Sequence, residues 1–399
     1  MFSESHAYST VTAILPEAST RTVVPALLQD GGTSALIWNA RGTLLHDHWW
    51  RRWFPPISPA KNILQIIAPD DDVARIVSTV VDAGKLHQQA TGAVYSTPCE
   101  HVYFGSDFHV WPPREGASLT EGHHKLTENL SAIYCIVDHA WSDRVSKAAI
   151  NAGSHGPIVY YTEGRGLRDR LGWLRITKQH EKELMLVIAD QNDADEVFDA
   201  MAHAGALHLP GHGFMYRQDI DRGMFNIPSR VSHHHYDANI HQIINAIDHL
   251  SGHSHWRDQA AFDVGPAGRG VGLETLKQDA PIIEEQVCLS AIAPRDHCPQ
   301  VMDMLLDAGA PGLNINYANF TKDEGHLEIA NAQLNHEYGL LRCITSARVA
   351  EDICALVEKE SAQNGISDIC MTVNSVPRVA TYMPGRHDYR DTSALALAS

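Results

Sequence analysis

Positive charge is scarce in this chain: 31 Lys plus Arg stand against 48 Asp plus Glu in 399 residues, a formal net charge of -17. Such a surface repels a phosphate backbone and an anionic headgroup layer, which excludes nucleic acid and membranes as the main partner. No apolar run approaches the roughly 20 residues that span a bilayer, and the opening MFSESHAYST has neither a basic start nor an apolar stretch. A cytoplasmic address is expected on these grounds. Cysteine is sparse and odd in number, seven at 99, 135, 288, 298, 343, 354 and 370. Without a repeated CxxC spacing this argues against a disulfide framework or a zinc ribbon and for packed, reduced thiols. Also missing are GxSxG, a Walker loop, HExxH and a Rossmann glycine pattern opening a helix after a strand.

Histidine, in contrast, is abundant. The chain has 25, ten of them between His203 and His255. Imidazole is the commonest metal ligand and titrates nearest neutrality, so the composition points to metal, haem or proton chemistry.

One order of features occurs three times, starting near residues 10, 132 and 287. Each copy opens on a short apolar strand, TVTAILP (10–16), AIYCIVD (132–138) or CLSAIAP (288–294), followed by an amphipathic helix ending in small residues. Glycines at 31 and 32, 153 and 156, and 309 and 312 suit a helix stop before a second strand. A polar stretch leads to a nearly all-apolar third strand: NILQIIAP, ELMLVIAD or YGLLRCIT. A second helix follows, DDVARIVSTVVDAG, NDADEVFDAMAHAG or RVAEDICALVEKE, with apolar residues at spacings of three and four. A last strand closes each copy. Strand, helix, strand, strand, helix, strand is the ferredoxin-like order, an α+β arrangement with both helices on one face of an antiparallel sheet. The expected fold is three tandem ferredoxin-like repeats whose bare sheet faces pack around a pseudo-threefold axis as an intramolecular pseudo-trimer. The divisions are repeat one at 1–112, a linker at 113–129, repeat two at 130–225, a histidine-rich helical insert at 226–285, repeat three at 286–383 and a tail at 384–399.

On these features the chain resembles the PII signalling proteins and their PII-like relatives, in three divergent copies. AGSHGPIVYYTEGRG (152–166) looks like the PII turn and strand leading to the T-loop, HLPGHGFMY (208–216) like the B-loop, and GAVYSTPCEHVYF (92–104) like the stretch after a B-loop. The resemblance implies clefts between repeats that bind ATP or ADP, with loops that contact partners. Gly164, Gly166, Gly211 and Gly213 are then the backbone contacts to the ligand, and Arg165 its anion contact. The chain departs from the family at phosphate: Phe214 stands where PII proteins follow Gly-x-Gly with lysine, and Thr91-Gly92-Ala93 and Ser367-Asp368-Ile369 replace the glycine pair in the other copies.

Three segments carry candidate chemistry. In LLHDHWWRRWFPPISP (44–59), His46 and His48 alternate and point to one side of an extended chain about 7 Å apart. Arg51 and Arg52 follow among three tryptophans, a set suited to a metal, a flat ligand and a carboxylate. His203, His208 and His212 lie near the B-loop, His208 and His212 being metal candidates. In the insert, Ile240, Ile243, Ile244, Ile247 and Leu250 form a helical apolar stripe, and on the neighbouring stripe His241 is the best metal candidate, with Asp248 to orient it.

The function these features favour is a metal- or haem-dependent enzyme, an oxidoreductase or oxygenase acting on a small, partly apolar molecule in a cleft between repeats. A transition metal or haem is the expected cofactor, with His46, His48, Arg51 and Arg52 doing the chemistry. The alternatives are an ATP/ADP-binding regulator, a metal-dependent hydratase or hydrolase, and a histidine-rich metal buffer. The expected partner is a small molecule, with homo-oligomers of pseudo-trimeric chains open.

Overall fold

A computed structural model describes residues 3–5, 7–30, 34–42, 60–88, 92–109, 111, 124, 126–154, 156–166, 181–225, 282–322 and 337–382. The linker, the insert, the tail and the loop 44–59 lie wholly or largely outside these residues.

From the N-terminus the elements are β1 (Ser3–Ser5), β2 (Tyr8–Pro16), α1 (Glu17–Gln29), β3 (Ser34–Gly42), β4 (Ala60–Pro69), α2 (Asp70–Gly84), β5 (Ala93–Pro98) and β6 (His101–Phe104). The middle stretch contains β7 (Leu130–Val137), α3 (His139–Asn151), β8 (Ile158–Gly166), β9 (Glu181–Asp190), α4 (Gln191–Ala204), β10 (Gly213–Ile220) and β11 (Arg222–Phe225). The last stretch contains β12 (Ile282–Pro294), a 3-10 turn at Arg295–His297, α5 (Cys298–Asp307), β13 (Gly312–Lys322), β14 (Tyr338–Ser346), α6 (Ala347–Asn364) and β15 (Cys370–Thr381).

Local chemistry accounts for these elements. Val73, Ile76, Val77, Val80 and Val81 recur at helical spacing and form the buried face of α2, whose first turn holds Asp70, Asp71 and Asp72 against the helix dipole. The strands are nearly continuous apolar runs; β7 is buried along its whole length. A strand buried on both faces reads this way because helices cover one side and a second protein layer covers the other.

The expectation of three ferredoxin-like repeats is corrected by the hydrogen bonding. All 15 strands among the described residues belong to one antiparallel sheet. Nine of them close a circuit in the order β3, β13, β14, β12, β15, β10, β7, β9, β8 and back to β3. The remaining strands extend from it, β4, β2, β5 and β11 from β3, and β6 and β1 from β15. The architecture is a closed β-barrel with appended strands and, among the described residues, six α-helices outside. Strand edges that would be exposed in separate units are satisfied by each other, which removes the unpaired backbone groups an open sheet presents.

Alternation along the strands divides the interior in two. Inward residues such as Leu36, Trp38, Ile63, Tyr95, Tyr134, Tyr160, Tyr216, Ile292 and Leu340 form one central cluster drawn from all parts of the chain. Their outward neighbours join the helices in three separate cores. Val24, Val77 and Leu64 belong to the first, Val145, Phe198 and Met185 to the second, and Leu305, Ile353 and Leu341 to the third.

Candidate functional site: a buried guanidinium in a tyrosine chamber

In β14, Leu340 faces the barrel interior while Leu341 and Cys343 face the helices. Arg342 has the parity of Leu340 and therefore points inward, where only 6% of it is exposed. Its register partners are Ser290 of β12 and Asn314 of β13.

The guanidinium donates to the Tyr160 hydroxyl at 3.4 Å and to Gln65 Oε1 at 3.2 Å. It lies 5.9 Å from the centre of the Trp38 ring and 5.8 Å from that of Tyr134, within reach of a cation–π attraction. Tyr134 stacks on Tyr216 at 4.8 Å, and its hydroxyl meets that of Tyr95 at 3.0 Å. Trp38 meets Tyr160 edge-on at 5.8 Å. Six strands thus converge on one cation: β3 brings Trp38, β4 Gln65, β5 Tyr95, β7 Tyr134, β8 Tyr160 and β10 Tyr216.

Two glycines place the outer tyrosines. A Cβ on Gly92 would sit 2.2 Å from the Ile14 carbonyl oxygen, and one on Gly213 would sit 1.9 Å from that of Ile136; both residues have positive φ. Only glycine lets β5 and β10 begin so close to their neighbours, and each strand then presents a tyrosine three residues on.

The electrostatics are one-sided. Among the described residues no carboxylate pairs with Arg342, although a buried charge ordinarily requires a partner. Burial works against its charge, and at neutral pH the described groups that meet it are the neutral Tyr160 hydroxyl, Gln65 and the faces of Trp38 and Tyr134. Burial also raises the phenols: Tyr134 is pushed up to about 12, with Arg342 pulling the other way, and Tyr95 and Tyr216 lie well above their usual range. All are therefore protonated donors at neutral pH.

Three buried polar atoms around this cation have no hydrogen-bond partner: Trp38 Nε1, Tyr216 Oη and Asn314 Oδ1. Buried polar groups are nearly always paired with protein, water or ligand. Two donors and one acceptor left open beside an uncompensated cation make a set complementary to a small anion that also carries a donor.

The residues singled out in the sequence fall elsewhere. His46, His48, Arg51, Arg52 and His241 lie outside the described residues. Gly164, Arg165 and Gly166 are in β8, in register with Asn314, Leu313 and Gly312 of β13. Gly211 has a positive φ in the turn before β10. His208 is partly buried in that turn, and His212 directs Nδ1 to the Gly205 carbonyl at 3.3 Å with its ring 4.8 Å from that of Trp141. The metal site expected at His208 and His212 is corrected: among the described residues no three His, Cys, Asp or Glu are placed to hold one ion. His212, one of the two described B-loop imidazoles, meets the carbonyl at the end of α4. Arg342 and the four tyrosines escaped the sequence reading. The available signal was a lone arginine in the otherwise apolar YGLLRCIT.

No family model matches the chain, and no curated protein matches it. Solved structures that resemble parts of it include a PII protein from Arabidopsis thaliana bound to citrate, at 17% identity over 24% of this chain and 78% of that one, with a TM-score of 0.19. An aspartate kinase from Synechocystis is 9% identical over 94% of this chain and 44% of that one, with a TM-score of 0.20. The regulatory subunit of an aspartate kinase from Thermus thermophilus is 9% identical over 51% of this chain and 95% of that one, with a TM-score of 0.17. At such scores these likenesses carry no argument about ligand or partner. No described helix is long and apolar enough to cross a membrane.

Proposed function

We propose that the protein recognises a small, partly apolar anion inside its barrel, with Arg342 as the anchor and the tyrosines as the surrounding proton donors. One observation carries this reading: a fully enclosed guanidinium with no carboxylate partner among the described residues. Leaving such a charge uncompensated costs several kcal/mol, and a ligand carboxylate or enolate offsets that cost. The aromatic walls suit a planar ligand body, and the few convergent polar atoms orient it. Phenols beside a cation also equip the chamber for proton transfer to a developing oxyanion, the cation stabilising the charge as it forms.

The ATP/ADP reading implied by the PII resemblance in three copies has weaker support. Gly213 is explained by the approach of β10 to Ile136, and Phe214 packs against the central cluster.

The test is calorimetric titration with benzoate, 4-hydroxybenzoate and the neutral benzamide, using the full chain and Arg342→Met. Binding of the acids but not of the amide, lost in Arg342→Met, is the expected result. Equal binding of acid and amide, or acid binding retained in Arg342→Met, overturns the reading.

A further inference from the structure

A second polar cluster lies at the seam where β3 meets β8, away from the central chamber in residue composition and exposure. Arg41, at the end of β3, is opposite Val159 of β8. Glu183 of β9 is opposite Tyr161 of β8, and His139 is the first residue of α3. One oxygen, Glu183 Oε1, accepts from Arg41 Nη2 at 2.8 Å and faces His139 Nδ1 at 2.8 Å.

The burial of the three is graded. The Glu183 side chain is 1% exposed, that of Arg41 35%, and that of His139 76%. Glu183 Oε2 is buried without a hydrogen-bond partner. Burial alone would raise the Glu183 pKa, but the polar contacts of Ser142 and His139 and the charge of Arg41 more than offset it and hold it below the ordinary carboxylate value. An ionised carboxylate only accepts, so Nδ1 of His139 carries the proton. In the neutral form of the ring the other nitrogen, Nε2, carries the lone pair, and the side chain is largely exposed. A carboxylate that fixes the tautomer of an imidazole is the arrangement by which histidine becomes an oriented base or nucleophile.

We propose that His139, positioned by Glu183, is a second reactive site, independent of the barrel interior, for small carboxylate- or phosphate-bearing electrophiles. Nε2 of His139 is the reacting atom and Arg41 is the contact for the anionic end. With an activated ester the step balances as follows. The Nε2 lone pair attacks the carbonyl carbon, a C–N bond forms, and the C–O bond to the phenolate leaving group breaks. Water then hydrolyses the resulting acyl-imidazolium, releasing the carboxylic acid and one proton to solvent and restoring Nε2. Arg41 contacts Glu183 through Nη2, and a guanidinium carries further N–H donors that suit an anion.

The probes are mono(4-nitrophenyl) succinate, which is anionic, and 4-nitrophenyl acetate, which is neutral, with nitrophenolate release followed on the full chain. Faster release from the anionic ester is expected, lost in His139→Gln. Arg41→Met is expected to remove the preference for the anionic ester. Glu183→Gln is expected to slow both by about tenfold or more and, in imidazole nitrogen NMR, to move the His139 proton from Nδ1 toward Nε2. If Glu183→Gln does not fold, Glu183→Asp takes its place, with the same slowing expected from the withdrawn carboxylate. Release unaffected by His139→Gln, or an Nε2-protonated tautomer in the unsubstituted protein, overturns the proposal.

Discussion

The barrel interior and the three cores beneath the helices are built from the same strands, yet they are chemically unlike. The outer faces contribute Val, Ile, Leu, Met, Ala and Cys almost exclusively; the core containing Phe198, for example, has Val145, Met185, Val187, Val197 and Met201. Around Arg342, among aliphatic residues such as Leu36, Ile63 and Leu340, the inner face contributes four tyrosines, a tryptophan and a glutamine, and the arginine itself has no carboxylate partner among the described residues. Stability is most simply reached by filling space with aliphatic side chains at crystal-like density, and the outer cores do that. The interior forgoes it at the one place where strands from every part of the chain converge. Departure from the simplest packing solution there, repeated on six strands, marks the interior as the part shaped for recognition.

The largest break in the comparison comes from the aliphatic side. Phe198 has no exposed surface, and Phe198→Ala is expected to destabilise the fold by about 3–5 kcal/mol through lost burial and the cavity left behind, measured by urea denaturation. The matching change inside the barrel has the opposite sign. Arg342→Met removes a buried charge while keeping much of the side-chain volume, and replacements of that kind are neutral or stabilising by about 1–4 kcal/mol. A stability loss in Arg342→Met as large as that of Phe198→Ala would show that the cation is a packing element like the rest, and would erase the distinction between the two regions.

These two positions also show how much the sequence discloses. The helix DDVARIVSTVVDAG matches α2 (Asp70–Gly84) because amphipathic period is a local property. The apolar runs beginning near 10, 132 and 288 fall within β2, β7 and β12 for the same reason. Barrel closure is not local: β3 pairing with β13 and β8, or β10 with β15, joins edges far apart in sequence, and an all-apolar strand gives no sign of which neighbour it will take. Histidine abundance drew attention to the loop 44–59 and the insert, whereas the converging residues are tyrosines spaced widely along the chain. Each is unremarkable alone, and only the register of six strands makes them a set. In β14 the arginine was visible but its partners were not.

A smaller effect separates the seam from both interiors. Glu183 has its pKa held below the ordinary glutamate value of 4.5 by Arg41 and its polar neighbours despite burial. A carboxylate depressed in the folded state contributes stability that is present above its unfolded pKa and is lost as pH falls through the folded value. Thermal unfolding followed below pH 4.5 is therefore expected to show a shallower acid-side decline in Glu183→Gln than in the unsubstituted protein. An acid limb of unchanged slope would mean that the carboxylate is not ionised in its contacts with Arg41 and His139.

The smallest effect is the most discriminating for the chamber itself. Tyr216 is buried, stacks on Tyr134, and its hydroxyl has no hydrogen-bond partner. Removing a buried hydroxyl that makes no bond loses nothing in packing and relieves an unmet desolvation cost. Tyr216→Phe is thus expected to leave stability unchanged or to raise it by less than about 1 kcal/mol. Tyr95→Phe makes a useful contrast, because its hydroxyl is bonded to Tyr134 and its loss leaves that partner unsatisfied, destabilising by about 1–3 kcal/mol. If the open hydroxyl exists for a ligand, Tyr216→Phe weakens binding of 4-hydroxybenzoate or benzoate while stability stays flat. A fold that loses as much stability in Tyr216→Phe as in Tyr95→Phe would show that both hydroxyls are structural.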